Sequence, residues 1–409
     1  MTKHPPGNRK LIRAINRSSV LYSIMRNGPI SRTEIAERAG LSAATITGIT
    51  AELIDANLVF EKEAGDSSGG RRPILLSLNP QGGYVVGLKL AETNITAALL
   101  DLEANLIRTQ VDVFENHSTN DAINRLSGAV EDLLRNSDLR KEQLIGVGVG
   151  LAGIVDAEQG VLQHSPIFGW HDFKLKGVLQ DRLEVPVYID NDVNTLTLTE
   201  KWFGAGQGVD HFLTVTIGRG VGLGIVIDGQ LYHGSHGGAG EFGHTVIDPA
   251  GTVCDCGKRG CLETIVSDPY LIRSAADAFS SGQLKKEVVD ISALIELGEN
   301  GDPAAVEIFE KAGDALAQGL ANLINVLCPQ LIIISGEGIR AGDLIFKPMF
   351  AALPAYVMPG LSEHVDIRID DWEDHAWARG AAGIVLRDFF ESPIHRKAPI
   401  PAAKERDTT

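Results

Sequence analysis

The chain has 409 residues, 44% of them apolar and 22% charged, a balance ordinary for a soluble globular protein of two or three domains. No apolar run reaches the ~20 residues that a membrane-crossing helix needs, and the opening MTKHPPGNRKLIRAINRSS lacks the apolar core of a signal peptide, so we expect a cytoplasmic protein without membrane insertion. The net charge of −16 argues against nucleic-acid binding by the chain as a whole, but it is unevenly spread. Residues 1–80 hold 11 Lys and Arg against 7 Asp and Glu, a net +4, and the remainder carries −20. A small basic head on a large acidic body suggests that only the head meets a polyanion.

The head, residues 1–80, is helical in period. Val20, Leu21, Ile24 and Met25 form one apolar stripe, and Asn27-Gly28-Pro29 stops that helix. A second helix is expected from about Ser31 to Ala39 and a third from about Ser42. Counting from Arg32, Ala36 is fifth, Gly40 ninth, Ile46 fifteenth and Ile49 eighteenth, which is the helix-turn-helix pattern. The small residue lets the helices cross closely, Gly40 permits the turn, and the two isoleucines lock the angle. Ser42 is a good N-cap, and Ser42, Ala43, Ala44 and Thr47 would face a major groove, where small side chains allow close approach. The stretch AGDSSGGRRPILLSL then predicts a wing whose tip carries Arg71 and Arg72 toward a minor groove. A three-helix protein-interaction module is the alternative; helix-turn-helix, wing and basic excess together favour double-stranded DNA.

After the linker NPQGGY (79–84), YVVGLKLAETNITAALLDLEANLIRTQVDVF reads as a strand meander, INRLSGAVEDLLRNS as an amphipathic helix and LIGVGVGLAG as a buried strand. A comparable unit follows: the strand pair HFLTVTIGRGVGLGIVIDGQLYHG (211–234), helices of which PAAVEIFEKAGDALAQGLANLINVLCP is the longest, and the buried strand QLIIISGEGI. The repetition predicts a duplicated α/β body over 81–391 with a ligand cleft between its lobes. Cys328 reads as a buried core thiol. Residues 392–409 lack a core pattern and are expected to form a disordered tail.

Three of the four cysteines, Cys254, Cys256 and Cys261, fall within eight positions, ten residues after His244. One imidazole and three thiolates suffice for tetrahedral zinc, and with no open ligand position evident the site reads as structural.

GGAGEFGH…CDCGKRGCLE resembles the signature of the ROK family of repressors, open reading frames and kinases; IGRGVGLGIVIDG, YIDNDVN and the head's GGRRPILLSL fit the same family. The resemblance covers residues 10–390. It implies an α/β, actin-like (RNase H-like) two-lobed domain behind the winged helix-turn-helix, with structural zinc and a sugar pocket in the cleft. Carried over residue by residue, it places Asn191, Asp192, Glu241, His244 and Glu263 on the sugar. His244 would turn one ring nitrogen to zinc and the other toward the ligand.

In the family's kinases Asp192 would be the base, and a D-x-G-G-T-K motif cradles phosphate. Here that register reads Lys89-Leu90-Ala91-Glu92-Thr93-Asn94. The close-approach glycines are lost, and a glutamate faces the nucleotide at a Coulomb cost of ~4 kcal/mol for like charges ~4 Å apart. The second turn, Gly218-Arg219-Gly220-Val221-Gly222-Leu223-Gly224, keeps its glycines, which we expect only to make a tight hairpin, while Arg219 leaves a sugar phosphate open as ligand. The sequence therefore predicts a non-catalytic, sugar-responsive repressor, a homodimer or homotetramer on operator DNA. A ROK sugar kinase and a repressor titrated by a protein partner are the alternatives.

Overall fold

The computed structural model describes residues 9–63, 74–370 and 375–391. It divides into two compact units: residues 1–190 with 381–409, and residues 191–380. Among the described residues, no helix is long and apolar enough to cross a membrane.

The first unit begins with α1 (Arg9–Asn27), β1 (Ile30–Ser31), α2 (Arg32–Ala39), α3 (Ala43–Asp55), β2 (Val59–Glu63) and β3 (Ile74–Leu78). Strands β2 and β3 pair antiparallel and β1 adds to β3, completing a winged helix-turn-helix. Its two helix starts follow from local chemistry. Ser31 and Glu34 form a reciprocal capping box at α2, and Ser42 accepts the Thr45 amide at 3.2 Å at α3. Gly40 ends α2 in the left-handed conformation at φ 63°, which a side chain would strain. Val20, Leu21, Ile24, Ile35, Ile46, Ile49 and Leu53 are buried together in the head. The wing tip with Arg71 and Arg72 lies outside the described residues.

The same unit continues through β4 (Tyr84–Leu90), β5 (Asn94–Asp101), β6 (Leu106–Val113), α4 (Thr119–Arg135), β7 (Leu144–Leu151), β8 (Ile154–Asp156), β9 (Val161–Ser165), β10 (Trp170–Phe173), α5 (Leu175–Leu183) and β11 (Val187–Asn191). The main sheet has the order β11-β7-β4-β5-β6, antiparallel in the β4–β6 meander and parallel from β4 to β7. The buried face of α4, with Leu126, Val130 and Leu133, packs on β5. The side sheet β8-β9-β10 carried no clear periodic signal and was absent from the sequence expectation.

The second unit runs through α6 (Asp192–Phe203), β12 (Phe212–Ile217), β13 (Val221–Ile227), β14 (Gln230–Leu231), α7 (Glu263–Val266), α8 (Asp268–Ser280), α9 (Ile291–Glu299), α10 (Pro303–Leu327), β15 (Leu331–Ser335), α11 (Asp343–Tyr356) and β16 (Asp366–Ile369). Its sheet order, β14-β13-β12-β15-β16, repeats that of the first unit position for position, and both begin with an antiparallel meander whose first strand pairs parallel with the next. This is the duplicated actin-like architecture. The core joins Leu213, Val215 and Ile217 of β12 to Leu316 and Leu320 of α10 and Phe346 of α11. The last helix, α12 (Ala376–Phe390), begins in the second unit and ends in the first. In the first unit, Gly148 of β7 meets its backbone, for a Cβ there would fall 1.8 Å from the Ala381 carbonyl oxygen.

One expectation is overturned. Cys328 is exposed, not buried. It caps α10 in the left-handed conformation at φ 44°, its amide still donating to the Ile324 carbonyl, and the chain's reversal there turns it away from the core. The tail 392–409 lies outside the described residues.

Candidate functional site

The predicted body residues lie in the second unit, on three elements. The first is the start of α6. Asn191 is its N-cap, and its Oδ1 accepts the amides of Val193 (2.9 Å) and Asn194 (3.4 Å). Asp192 is the first helical residue and only 9% exposed, and its Oδ1 also accepts the Val193 amide at 3.0 Å. A carboxylate at a helix N-terminus is stabilised by the helix dipole.

The second element is the β12–β13 hairpin, whose glycines do more than turn the chain. A Cβ at Gly222 would stand 2.5 Å from the Val193 methyl, and one at Gly224 would stand 1.9 Å from the Thr197 hydroxyl. Both glycines are therefore what lets α6, and Asp192 with it, lie directly on β13; the tight-hairpin expectation was too narrow. At the hairpin tip, Glu263, the first residue of α7, accepts the Val221 amide at 3.1 Å. Arg219 stands exposed at that tip.

The third element is the turn Phe242–His244 with Glu241 before it. Gly240, at φ 96°, and Gly243 approach β13 so closely that a Cβ would fall 2.0 and 2.3 Å from the carbonyl oxygens of Leu223 and Val221. Phe242 is buried in the core. The segment is thereby pinned at both glycines and at Phe242, and Glu241 is left half-exposed. Its carboxyl is pushed up by partial burial; His244 draws it down, while the charges of Glu263 and Asp192 push it further up. Asp192, Glu241, Glu263 and His244 thus form one electrostatic cluster, with Asn191 beside them in sequence.

The metal set is assembled on the far side of the His244 ring. Its Nδ1 lies 3.6 Å from Cys254 Sγ, Cys256 Sγ lies 3.6 Å from Cys261 Sγ, and its Nε2 faces Glu241 Oε2 at 3.9 Å. All four candidate ligand atoms lie within 4.8 Å of one another. Zinc bonds of ~2.3 Å to sulfur in a tetrahedron place two sulfurs ~3.8 Å apart, so the donor set and its spacing fit a zinc ion. Burial pushes the Cys261 thiol up to about 12, and the neighbouring thiols push in the same direction, a penalty on the thiolate that a bound cation would offset. Lys258 donates to the His244 carbonyl at 2.7 Å, and the bridges Val246–Cys261 and Val253–Arg259 tie the loop down.

In the head, Ser42, Ala43, Ala44 and Thr47 are all exposed, while Ile46 and Ile49 of the same helix are buried. The surface of α3 that the sequence assigned to DNA is therefore outward. In the first unit, Lys89 to Asn94 form the end of β4, a tight turn closed by the Ala91 amide on the Asn94 carbonyl at 2.9 Å, and the start of β5. The His117 ring Nε2–H donates to the Glu92 carbonyl at 2.7 Å.

The sequence reading missed Glu337. Its Oε1 accepts the Trp377 indole N–H at 3.3 Å, and its Oε2 would lie 2.5 Å from a Cβ at Gly218. A carboxylate between two glycines directly after a buried strand, Ser335-Gly336-Glu337-Gly338, was the available signal.

Comparison with known proteins bears on both segments. The family model of the ROK family matches residues 85–388, and that of the MarR family matches residues 14–72. The xylose repressor of Bacillus spizizenii is 31% identical over 380 residues, which is 93% of this chain and 97% of that protein. A crystal structure of a ROK family transcriptional regulator, a homologue of the Escherichia coli MLC protein, superposes with a TM-score of 0.83 at 28% identity, covering 93% of this chain and 97% of that one. A ROK family glucokinase from Streptomyces griseus, solved with glucose and AMPPNP, gives 0.65 at 27% identity, covering 74% of this chain and 99% of the kinase.

Proposed function

Because this chain belongs to the ROK family and carries a winged helix-turn-helix ahead of that segment, we propose that it is a sugar-responsive transcriptional repressor. Residues 1–80 bind operator DNA and residues 81–391 bind a small sugar whose occupancy releases the DNA. The observation that carries this reading is the outward face of α3, Ser42-Ala43-Ala44 with Thr47, in the same chain as a ROK body. Small side chains there let the helix enter a major groove, and Ala or Thr methyls meet thymine methyls. Arg71 and Arg72 add phosphate or minor-groove contacts from the wing.

The sugar reading rests on the cluster of Asp192, Glu241, Glu263 and His244 with Asn191. Carboxylates accept hydroxyl protons, and each buried acceptor left unmatched penalises a wrong ligand. His244, Cys254, Cys256 and Cys261 would hold zinc, which as a closed four-coordinate ion supplies only a cross-link. That cross-link fixes the His244 tautomer and leaves Nε2 on the sugar side. A ligand shifts the chain between DNA-binding and released states only by its differential affinity for the two. Helix-turn-helix proteins read paired half-sites as two-fold dimers, so the working species is a homodimer or a homotetramer built from one.

Catalysis is not part of this reading. The turn at Lys89–Asn94 lacks the glycines and lysine of a phosphate cradle, and Glu92 adds negative charge to it. The kinase reading keeps one favourable observation, the shielded Asp192 at the start of α6. A mobility shift with DNA flanking the protein's own gene, titrated with free and phosphorylated sugars, tests the proposal. A shifted band released by one sugar supports it. Absence of any shift, together with ATP-dependent phosphorylation of a sugar, overturns it in favour of the kinase. Asp192→Asn should weaken the response to that sugar and leave DNA binding unchanged.

A further inference from the structure

The β12–β13 turn, Gly218-Arg219-Gly220, has a backbone that glycines leave open to close approach, followed by the amide of Val221. In this chain carboxylates fill both openings. Glu263 Oε2 accepts the Val221 amide at 3.1 Å and lies 3.0 Å from where a Cβ at Gly220 would stand. Glu337 Oε2 lies 2.5 Å from where a Cβ at Gly218 would stand.

Glu337 is built into that position. It follows β15 in Ser335-Gly336-Glu337-Gly338, and both flanking glycines press on the end of β12. A Cβ at Gly336, where φ is 96°, would fall 2.5 Å from the Ile217 carbonyl oxygen, and one at Gly338 would fall 2.9 Å from the Ile217 carbonyl carbon. The Trp377 indole N–H donates to Glu337 Oε1 at 3.3 Å, which leaves Oε2 for the turn. Trp377 is buried and packs with Val193 and Leu196 of α6. Val193 follows Asp192, so the tryptophan ties Glu337 to the helix start that carries part of the sugar cluster. The arginines of this region offset little of the negative charge. Arg340 is paired with Asp268 at 2.5 Å, and the Asp268 amide donates to the Gly218 carbonyl at 2.8 Å. Arg219 is exposed at the tip, where water and salt screen it.

We propose that Glu337 is a specificity-determining residue that keeps phosphoryl groups out of this turn, so that the body takes an uncharged sugar and rejects the phosphate ester of the same sugar. A phosphate at the turn would face Glu337 and Glu263, and Glu263 stands in one electrostatic cluster with Asp192 and Glu241. It would also find the Val221 amide already engaged. A sugar hydroxyl meets no such penalty, because it donates to a carboxylate. Like charge set against the wrong ligand discriminates as well as contacts made to the right one. The inference rests on the sugar-binding reading of the body and narrows it to unphosphorylated sugars.

The test compares the full-length chain with Glu337→Gln, which keeps the volume of the side chain and an acceptor for Trp377 but removes the charge. Inorganic phosphate is the first probe, titrated by calorimetry; any phosphate held by the basic head is common to both chains and drops out of the comparison. The Gln chain should bind phosphate at least tenfold more tightly. Equal affinity, or no binding by either chain, overturns the role of Glu337 and leaves the sugar reading standing. In the second arm D-xylose, D-glucose and N-acetyl-D-glucosamine are each titrated beside their terminal phosphate esters. A sugar that binds the unsubstituted chain should do so at least tenfold more tightly than its ester, and Glu337→Gln should shrink that advantage at least tenfold. An ester that binds the unsubstituted chain as tightly as its sugar overturns the exclusion. A chain that binds no member of the panel counts against the sugar reading, and the phosphate titration still decides Glu337 by itself.

Discussion

His244 sets its Nε2 3.9 Å from the Glu241 carboxylate while its Nδ1 lies 3.6 Å from the Cys254 sulfur, so one ring spans the metal set and the carboxylate cluster. With zinc bound to this set, its removal would free both the tautomer and the orientation of that ring. Loss of a group that orients a metal-bound histidine costs ~10–100-fold in metal affinity or activity. We expect the purified chain to hold one zinc per protomer. Cys254→Ser with Cys256→Ser, or exhaustive chelation, should weaken sugar binding at least tenfold. Metal analysis paired with calorimetric sugar titration checks this; a zinc-free chain of unchanged sugar affinity would refute the coupling.

The outward face of α3 makes a second prediction. Ala44 is exposed, so Ala44→Glu disturbs no packing, but on the proposed docking it would bring a carboxylate into the major groove between two rows of phosphates. Operator affinity should fall at least a hundredfold with thermal stability nearly unchanged. Ile46→Ala on the buried side should instead cost about 2–5 kcal/mol of folding free energy, because it empties a fully buried site. Arg71→Ala with Arg72→Ala should lower the salt dependence of DNA binding by about two phosphate contacts. Mobility shifts at several salt concentrations and thermal melts separate the three effects. An Ala44→Glu chain that binds operator normally would remove α3 from the interface.

The head was legible because its signals are local: caps at Ser31 and Ser42, a left-handed turn at Gly40 and isoleucines at fixed offsets. The metal set was legible because four uncommon ligand residues stand close in sequence. The two sheets were legible as repeated meanders, since strand alternation and buried runs survive without tertiary context. The role of Gly222 and Gly224 was not, because it depends on Val193 and Thr197 of a helix far upstream in sequence pressing on their strand. Glu263 on the Val221 amide and Glu337 beside Gly218 were hidden for the same reason. Cys328 misled because an apolar-looking residue ending a buried helix is read as core, whereas a left-handed cap turns it out.

Gly224 supplies a prediction about how α6 is held. A methyl there would overlap the Thr197 hydroxyl, so Gly224→Ala must lift α6 from β13. Overpacking of this kind costs about 1–3 kcal/mol. Because α6 carries Asp192 at its first turn, sugar affinity should fall along with stability. Gly208→Ala, at a positive-φ turn with open space around it, strains the backbone without touching α6. It should lower stability and spare sugar binding. Denaturant unfolding and sugar titration of the two variants check this; equal losses of sugar affinity in both would show that α6 contact is not what matters.

Glu200 gives the pH dependence. It sits near the C-terminal end of α6, 6% exposed, and its carboxylate accepts the Ala205 amide at 3.0 Å. Burial pushes its carboxyl from the ordinary 4.5 up to about 7; the charge of Asp370 adds to the rise, and Arg379 partly opposes it. The folded chain therefore holds a proton that the unfolded chain releases above pH ~4.5, so this group's contribution to stability falls as pH rises from about 4.5 to about 7. The fall is at most roughly 3–4 kcal/mol, since each tenfold difference in proton affinity between the folded and unfolded chain is worth ~1.4 kcal/mol. Glu200→Gln keeps an acceptor for the Ala205 amide and a donor toward Asp370 without the titrating proton. The variant and the unsubstituted chain should have similar unfolding free energies near pH 5. Above pH 7 the Gln variant should be the more stable. Denaturant unfolding at both pH values measures the difference, and curves that stay parallel from pH 5 to 8 would show that Glu200 ionises as readily in the folded chain as in the unfolded one.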